Sequence, residues 1–117
     1  MSTPPPNRAI DPMATLDPAL VYKILTPPQH EELRRVGVFG GSEHDRRDGF
    51  VHLSAADQVA GTLAKHYVDA GPLVLLGIDP SAIESDLRWE VSRDGQPFPH
   101  LYADLLLSAV RTTTPIH

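Results

Sequence analysis

The chain contains no cysteine. Disulfides, thiolate nucleophiles and thiolate metal ligands are therefore excluded, and the composition suits an expected cytoplasmic setting. No apolar run approaches the roughly 18 residues needed to cross a bilayer. The amino-terminal MSTPPPNRAIDPMATLDP has no hydrophobic segment of the secretory kind. Basic clusters are also missing: ten Lys and Arg face fifteen Asp and Glu, for a formal net charge of −5, and no cluster exceeds the pairs Arg34-Arg35 and Arg46-Arg47. A nucleic-acid backbone is accordingly not an expected partner. Walker and Rossmann glycine patterns are absent. So are HxH and HxxxH pairs, and no metal site is expected.

What is present suffices for one domain. The chain has 117 residues, 41% of them hydrophobic, so it can bury a real core. The first eighteen residues hold five prolines and no apolar periodicity. Residues 1–16 are expected to be a flexible tail, with residues 17–117 as a single domain.

Residues 19–25, ALVYKIL, read as a buried first strand. Thr26 before Pro27-Pro28 predicts a helix running to about Val36 and stopping at Gly37. The polar stretch Gly40 to Asp48 reads as a loop, either solvated or folded as a flap over a site. GFVHL, residues 49–53, reads as a second strand. Ser54 followed by Asp57 predicts a helix N-terminus, with an amphipathic helix from Ala55 to about Val68. PLVLLGI, residues 72–78, is a continuous apolar run and predicts a central strand covered on both faces. Asp79-Pro80 marks a turn, and Leu87 to Val91 a further strand. Asp94-Gly95 favours a hairpin, and Leu101 to Leu107 and Ala109 to Thr114 supply the last extended segments. The order predicts an α+β domain with a mixed, curved sheet and two main helices.

Titratable and aromatic groups concentrate in residues 87–102, LRWEVSRDGQPFPHLY, which hold Trp89, Glu90, Arg93, His100 and Tyr102. This mixture reads as a pocket wall. His52 lies just before Ser54. A ligand there would meet the free N–H groups of a helix N-terminus, which suits an anion. The alternative is a histidine hydrogen-bonded inside the domain. Trp89 reads as core or pocket wall, and Glu90 as a solvated side chain or a general base in a cleft. His100 and Tyr102 share one strand face, either as interior groups with satisfied polar tips or as partners for a ligand ring. A Ser54-centred catalytic triad lacks the glycine-flanked elbow it would need.

GFVHLSAADQV, the Ile78-Asp79-Pro80 turn, LRWE and FPHLY, in that order, together with the opening strand VYKIL, resemble the bacterial family called domain of unknown function 952. The resemblance covers residues 19–114. That family is distantly similar to the ADP-ribosyltransferase fold, which includes NAD-using RNA 2′-phosphotransferases. The similarity implies a sheet split into two small curved sheets around a cleft that grips nicotinamide. It implies Tyr22 and Lys23 at the first-strand position, His52 with Ser54 at the second, and Glu90 as the late glutamate. Three functions follow as expectations. One is an NAD-dependent transferase in which His52 and Glu90 are catalytic and Trp89 or Tyr102 stacks on the ring. Another is a non-catalytic module that binds a nucleotide-like or anionic small molecule. A protein-partner module is a third.

Overall fold

Val21–Leu25 forms β1 and Leu73–Ile78 forms β5, and these two strands pair antiparallel along their whole length. They lie at the centre of a four-stranded sheet ordered β4-β1-β5-β9, with Ser54–Ala55 as β4 and Val110–Ile116 as β9. The structure is a computed structural model that describes residues 16–92 and 95–116. Of the expected tail, residues 1–15 lie outside the described residues; Leu16 packs against the core.

Both faces of the central sheet are covered, which is why its strands read as continuous apolar runs. Val21, Leu25, Leu76 and Ile78 face a core shared with Leu33, Val51, Leu101 and Leu105. Tyr22, Ile24, Leu73 and Leu75 face the other way, against Val59, Leu63 and Tyr67. Two smaller sheets complete the domain. Val38–Phe39 (β2) pairs with Leu105–Leu106 (β8). Val51–His52 (β3), Pro97–Leu101 (β7) and Leu87–Val91 (β6) form a sheet ordered β3-β7-β6.

Three α-helices are present among the described residues. The first, Pro27–Val36 (α1), has the predicted start: Thr26 and Gln29 form a capping box, and Gly37 closes the helix at φ 81°. The second, Glu43–Asp48 (α2), falls inside the expected loop. The third, Val59–His66 (α3), is shorter than expected.

The domain is α+β, and three expectations are corrected. The sheets are not mixed, because every strand pairing among the described residues is antiparallel. Residues 43–48 are helical because Ser42 and Asp45 cap one another. Ser54 is no helix cap: it pairs with Tyr22 in the sheet, and its hydroxyl meets that of Thr62 at 3.0 Å. A short 3₁₀ turn, Ala56–Gln58, intervenes before α3. The anion site expected at a helix N-terminus beside Ser54 therefore has no structural basis.

Gly77 lies in mid-strand between Tyr22 and Thr112. A Cβ here would collide with Thr112 Oγ1 and lie 2.9 Å from Leu20 Cδ1 and 3.1 Å from Tyr22 Cε2. Gly77→Ala should cost about 1–3 kcal/mol by overpacking. A thermal melt should show the midpoint fall by several degrees, with part of the loss recovered by adding Thr112→Ala. An unchanged midpoint would contradict this packing.

Candidate functional site

The site is organised around α2. Ser42 Oγ accepts from the Asp45 N–H at 3.1 Å, and Asp45 Oδ2 accepts from the Ser42 N–H at 2.9 Å. This is a capping box with Asp in the usual Glu position. Gly41 is required by the turn before it: its φ is 111°, and a Cβ would come within 2.9 Å of Asp45 Cβ. Gly49, at φ 88°, ends the helix and turns the chain into β3.

Asp45 is only 2% exposed yet carries a charge. Lys23, on β1, donates to both of its oxygens at 3.2 and 2.9 Å, and to the His52 carbonyl at 3.0 Å. Asp45 Oδ1 also accepts from the His52 backbone N–H at 3.1 Å and contacts His52 Nδ1 at 2.6 Å. Burial alone would raise the Asp45 pKa. The His52 side chain, the Lys23 charge and the N–H groups of Ser42 and His52 outweigh it, leaving the carboxyl well below its ordinary range. Burial lowers the Lys23 pKa, and Asp45 opposes that shift.

On its other side, His52 Nε2 lies 2.9 Å from Asp48 Oδ2. The His44 ring sits 4.4 Å from that of His52, between centroids. His52 and His100 are cross-strand partners in β3 and β7, with ring centroids 5.8 Å apart. Phe50 stacks on His100 at 3.9 Å and 22°. His100 Nδ1 meets Glu90 Oε1 at 2.8 Å, and the Tyr102 hydroxyl donates to the same oxygen at 2.7 Å. The hydrogen bond from Tyr102 is the main cause holding Glu90 below its ordinary range, with His100 second. The same bond raises the Tyr102 hydroxyl.

These groups border an open cleft of about 810 Å³. Of the sequence-predicted residues, Tyr22, Lys23, His52, Ser54 and His100 line it. Glu90 and Tyr102 join through His100. Tyr22 is a core residue whose hydroxyl accepts from the Asp17 N–H at 2.8 Å. Trp89 is 52% exposed on edge strand β6 and does not line the cleft, so the expected core or wall position is corrected. Arg93 lies outside the described residues.

Sequence reasoning missed His44, Asp45, Asp48 and Phe50. A usable signal was the spacing His44, Asp48, His52, one polar group every four residues. The SEHD segment at residues 42–45 also holds the same Ser-x-x-Asp pattern that was read at Ser54.

The buried ion pair makes a testable prediction. Removing one partner of such a pair costs about 3–5 kcal/mol, whereas replacing both is far milder. Asp45→Ala should show that loss at neutral pH, and Lys23→Met with Asp45→Asn should recover much of it. The Asp45 pKa is depressed in the fold. Its stabilisation is therefore complete above the unfolded carboxyl value of about 3.9 and is lost as pH falls through the lower folded value. Denaturant titrations against pH should show this acid limb in the native protein and its reduction in the double variant.

The family model described as "Protein of unknown function (DUF952)" matches residues 24–113. Among solved structures, the crystal structure of protein CC0527 from Caulobacter crescentus is 43% identical, with a TM-score of 0.77, covering 82% of this chain and 84% of that one. The solution NMR structure of CC0527 is 42% identical with a TM-score of 0.72, covering 82% and 83%. No curated protein matches the chain. The matched span runs from the end of β1 into β9 and takes in β5, α2 and both histidine strands, and the chain belongs to the DUF952 family.

Proposed function

We propose that the cleft takes a nucleotide-like small molecule and supports NAD-dependent transfer of an ADP-ribosyl or phosphate group. One observation carries this reading: two imidazole–carboxylate contacts, Asp45–His52 and Glu90–His100, sit on adjoining strands beside one cleft. Perturbed carboxylates in a cleft are candidates for function, and the volume lies within the range of small-molecule sites. The resemblance of DUF952 proteins to the ADP-ribosyltransferase fold supports the same reading, as does the expected cytoplasmic setting.

The donor set suits a ligand rich in hydroxyls. Bound NAD would supply an electrophilic ribosyl carbon on loss of nicotinamide. His52 Nε2 would bind a ribose hydroxyl in exchange for Asp48. Glu90 would orient the acceptor and offset positive charge at the reacting carbon, held for this by Tyr102 and His100. The half-exposed ring of Tyr102 offers a stacking surface.

A second reading, a non-catalytic binding module, is favoured by one feature. Lys23 is spent on Asp45 and the His52 carbonyl, and both ring nitrogens of His52 already face carboxylates.

A thermal-shift series with NAD, ADP-ribose, nucleotides and sugar phosphates, followed by assays of NAD consumption, tests both. A ligand at 100 times its Kd adds about 2.7 kcal/mol. NAD should raise the midpoint, His52→Ala should remove the shift, and Glu90→Gln should keep binding but lose turnover. Binding without consumption would favour the module. A flat response to every nucleotide would contradict both readings.

A further inference from the structure

The residues around His52 have a second property, separate from the ribose contact proposed for His52. His44 and Asp48 are four residues apart on α2 and so lie on one face of that helix. His52 follows four residues later, after the Gly49 turn. Asp48 Oδ2 lies 3.2 Å from His44 Nε2 and 2.9 Å from His52 Nε2. The three ligand-type atoms all fall within 4.8 Å of one another.

We propose that His44, Asp48 and His52 form a binding site for a divalent transition-metal ion. A metal bound to nitrogen and oxygen ligands at about 2.0–2.1 Å keeps neighbouring ligand atoms roughly 3 Å apart. The two Asp48 contacts already have that spacing. His52 carries an independent mark of a metal ligand. Its Nδ1 is 2.6 Å from the buried Asp45 carboxylate, an arrangement that keeps a proton on Nδ1 and leaves Nε2, which gives up its own proton when a metal binds, facing Asp48 and His44. Lys23 in turn holds Asp45. The ring is therefore oriented by groups that do not themselves belong to the ligand set.

The donor set decides the class of ion. Two imidazole nitrogens and one carboxylate suit zinc, iron, cobalt or nickel, whereas magnesium and calcium prefer oxygen. The site is open on one side: the side chains of His44, Asp48 and His52 are 47, 38 and 30% exposed, and all three line the cleft. Three protein ligands leave at least one position for water or for an oxygen of the cleft's ligand, which is the pattern of catalytic rather than structural metal sites. Without a metal, the same geometry is two imidazoles flanking a carboxylate, so the two states differ in ion binding and not in fold.

The inference does not depend on the NAD reading, because metal binding itself is the readout. Chelator-treated protein should be titrated with Co²⁺ by visible absorption and with Zn²⁺ by calorimetry. One equivalent should bind, with cobalt ligand-field bands that zinc abolishes and millimolar Mg²⁺ does not. His44→Ala and Asp48→Asn, both at exposed positions, should each weaken binding at least about 10-fold, while His30→Ala should leave it unchanged. Thermal midpoints of the variants would establish that they are folded. On zinc addition, the Nε2 resonances of His44 and His52 should move in nitrogen NMR, with His52 Nδ1 still protonated. Absence of binding, or binding that survives both variants, would overturn the proposal.

Discussion

Lys23 and Asp45 are separated by 22 residues in the chain, and their buried contact joins three elements. Lys23 belongs to β1, Asp45 to α2, and the His52 backbone that both engage belongs to β3. Asp45 has five donor contacts on two oxygens, and Lys23 has three acceptors for its three protons. Such a pair gains little net stability over a well-packed apolar replacement, because desolvating two charges offsets most of their attraction. Its consequence is positional. A charged carboxylate in the interior must remain paired, and satisfying it allows α2 and β3 little latitude.

The cleft follows from that constraint. Fixing Asp45 fixes the capping box with Ser42, the six-residue helix behind it, and the His52 imidazole in front. Helix α2 is too short to be stable by itself and draws its order from the cap and from the ion pair. His44 and Asp48 are thereby set beside His52. The antiparallel register of β3 with β7 places His100 alongside, and Glu90 and Tyr102 extend the polar system to the rim. The two imidazole–carboxylate contacts differ in kind: Asp45 is sealed inside, whereas Glu90 sits in a solvent-accessible position and shares its oxygen between His100 and Tyr102.

Much of this could be read from local pattern. The apolar run at Leu73–Ile78 announced a strand covered on both faces. Thr26, the prolines after it and Gly37 marked both ends of α1. The hairpin expected at Asp94-Gly95 involves Asp94, which lies outside the described residues; alternation placed His100 and Tyr102 together. The parts that could not be read depend on distant partners or on short elements. Helix α2 has too few residues to show periodicity, and its charged sequence looks like a loop until Lys23 is known to lie beneath it. Lys23, within an apolar strand, gave no sign of which carboxylate would neutralise it. Ser54 carried a convincing cap pattern, but pairing with Tyr22 took precedence. Trp89, the sole tryptophan, drew attention by its rarity, yet an edge strand left it half exposed.

The central claim is that Asp45 fixes the His52 ring with a proton on Nδ1 and directs Nε2 into the cleft. Proton–nitrogen correlation spectra of the imidazole groups test this directly. His52 Nδ1 should carry a downfield, slowly exchanging proton in the native protein, lost in Asp45→Asn combined with Lys23→Met. A His52 ring that exchanges freely between tautomers in the native protein, or one bearing its proton only on Nε2, would contradict it.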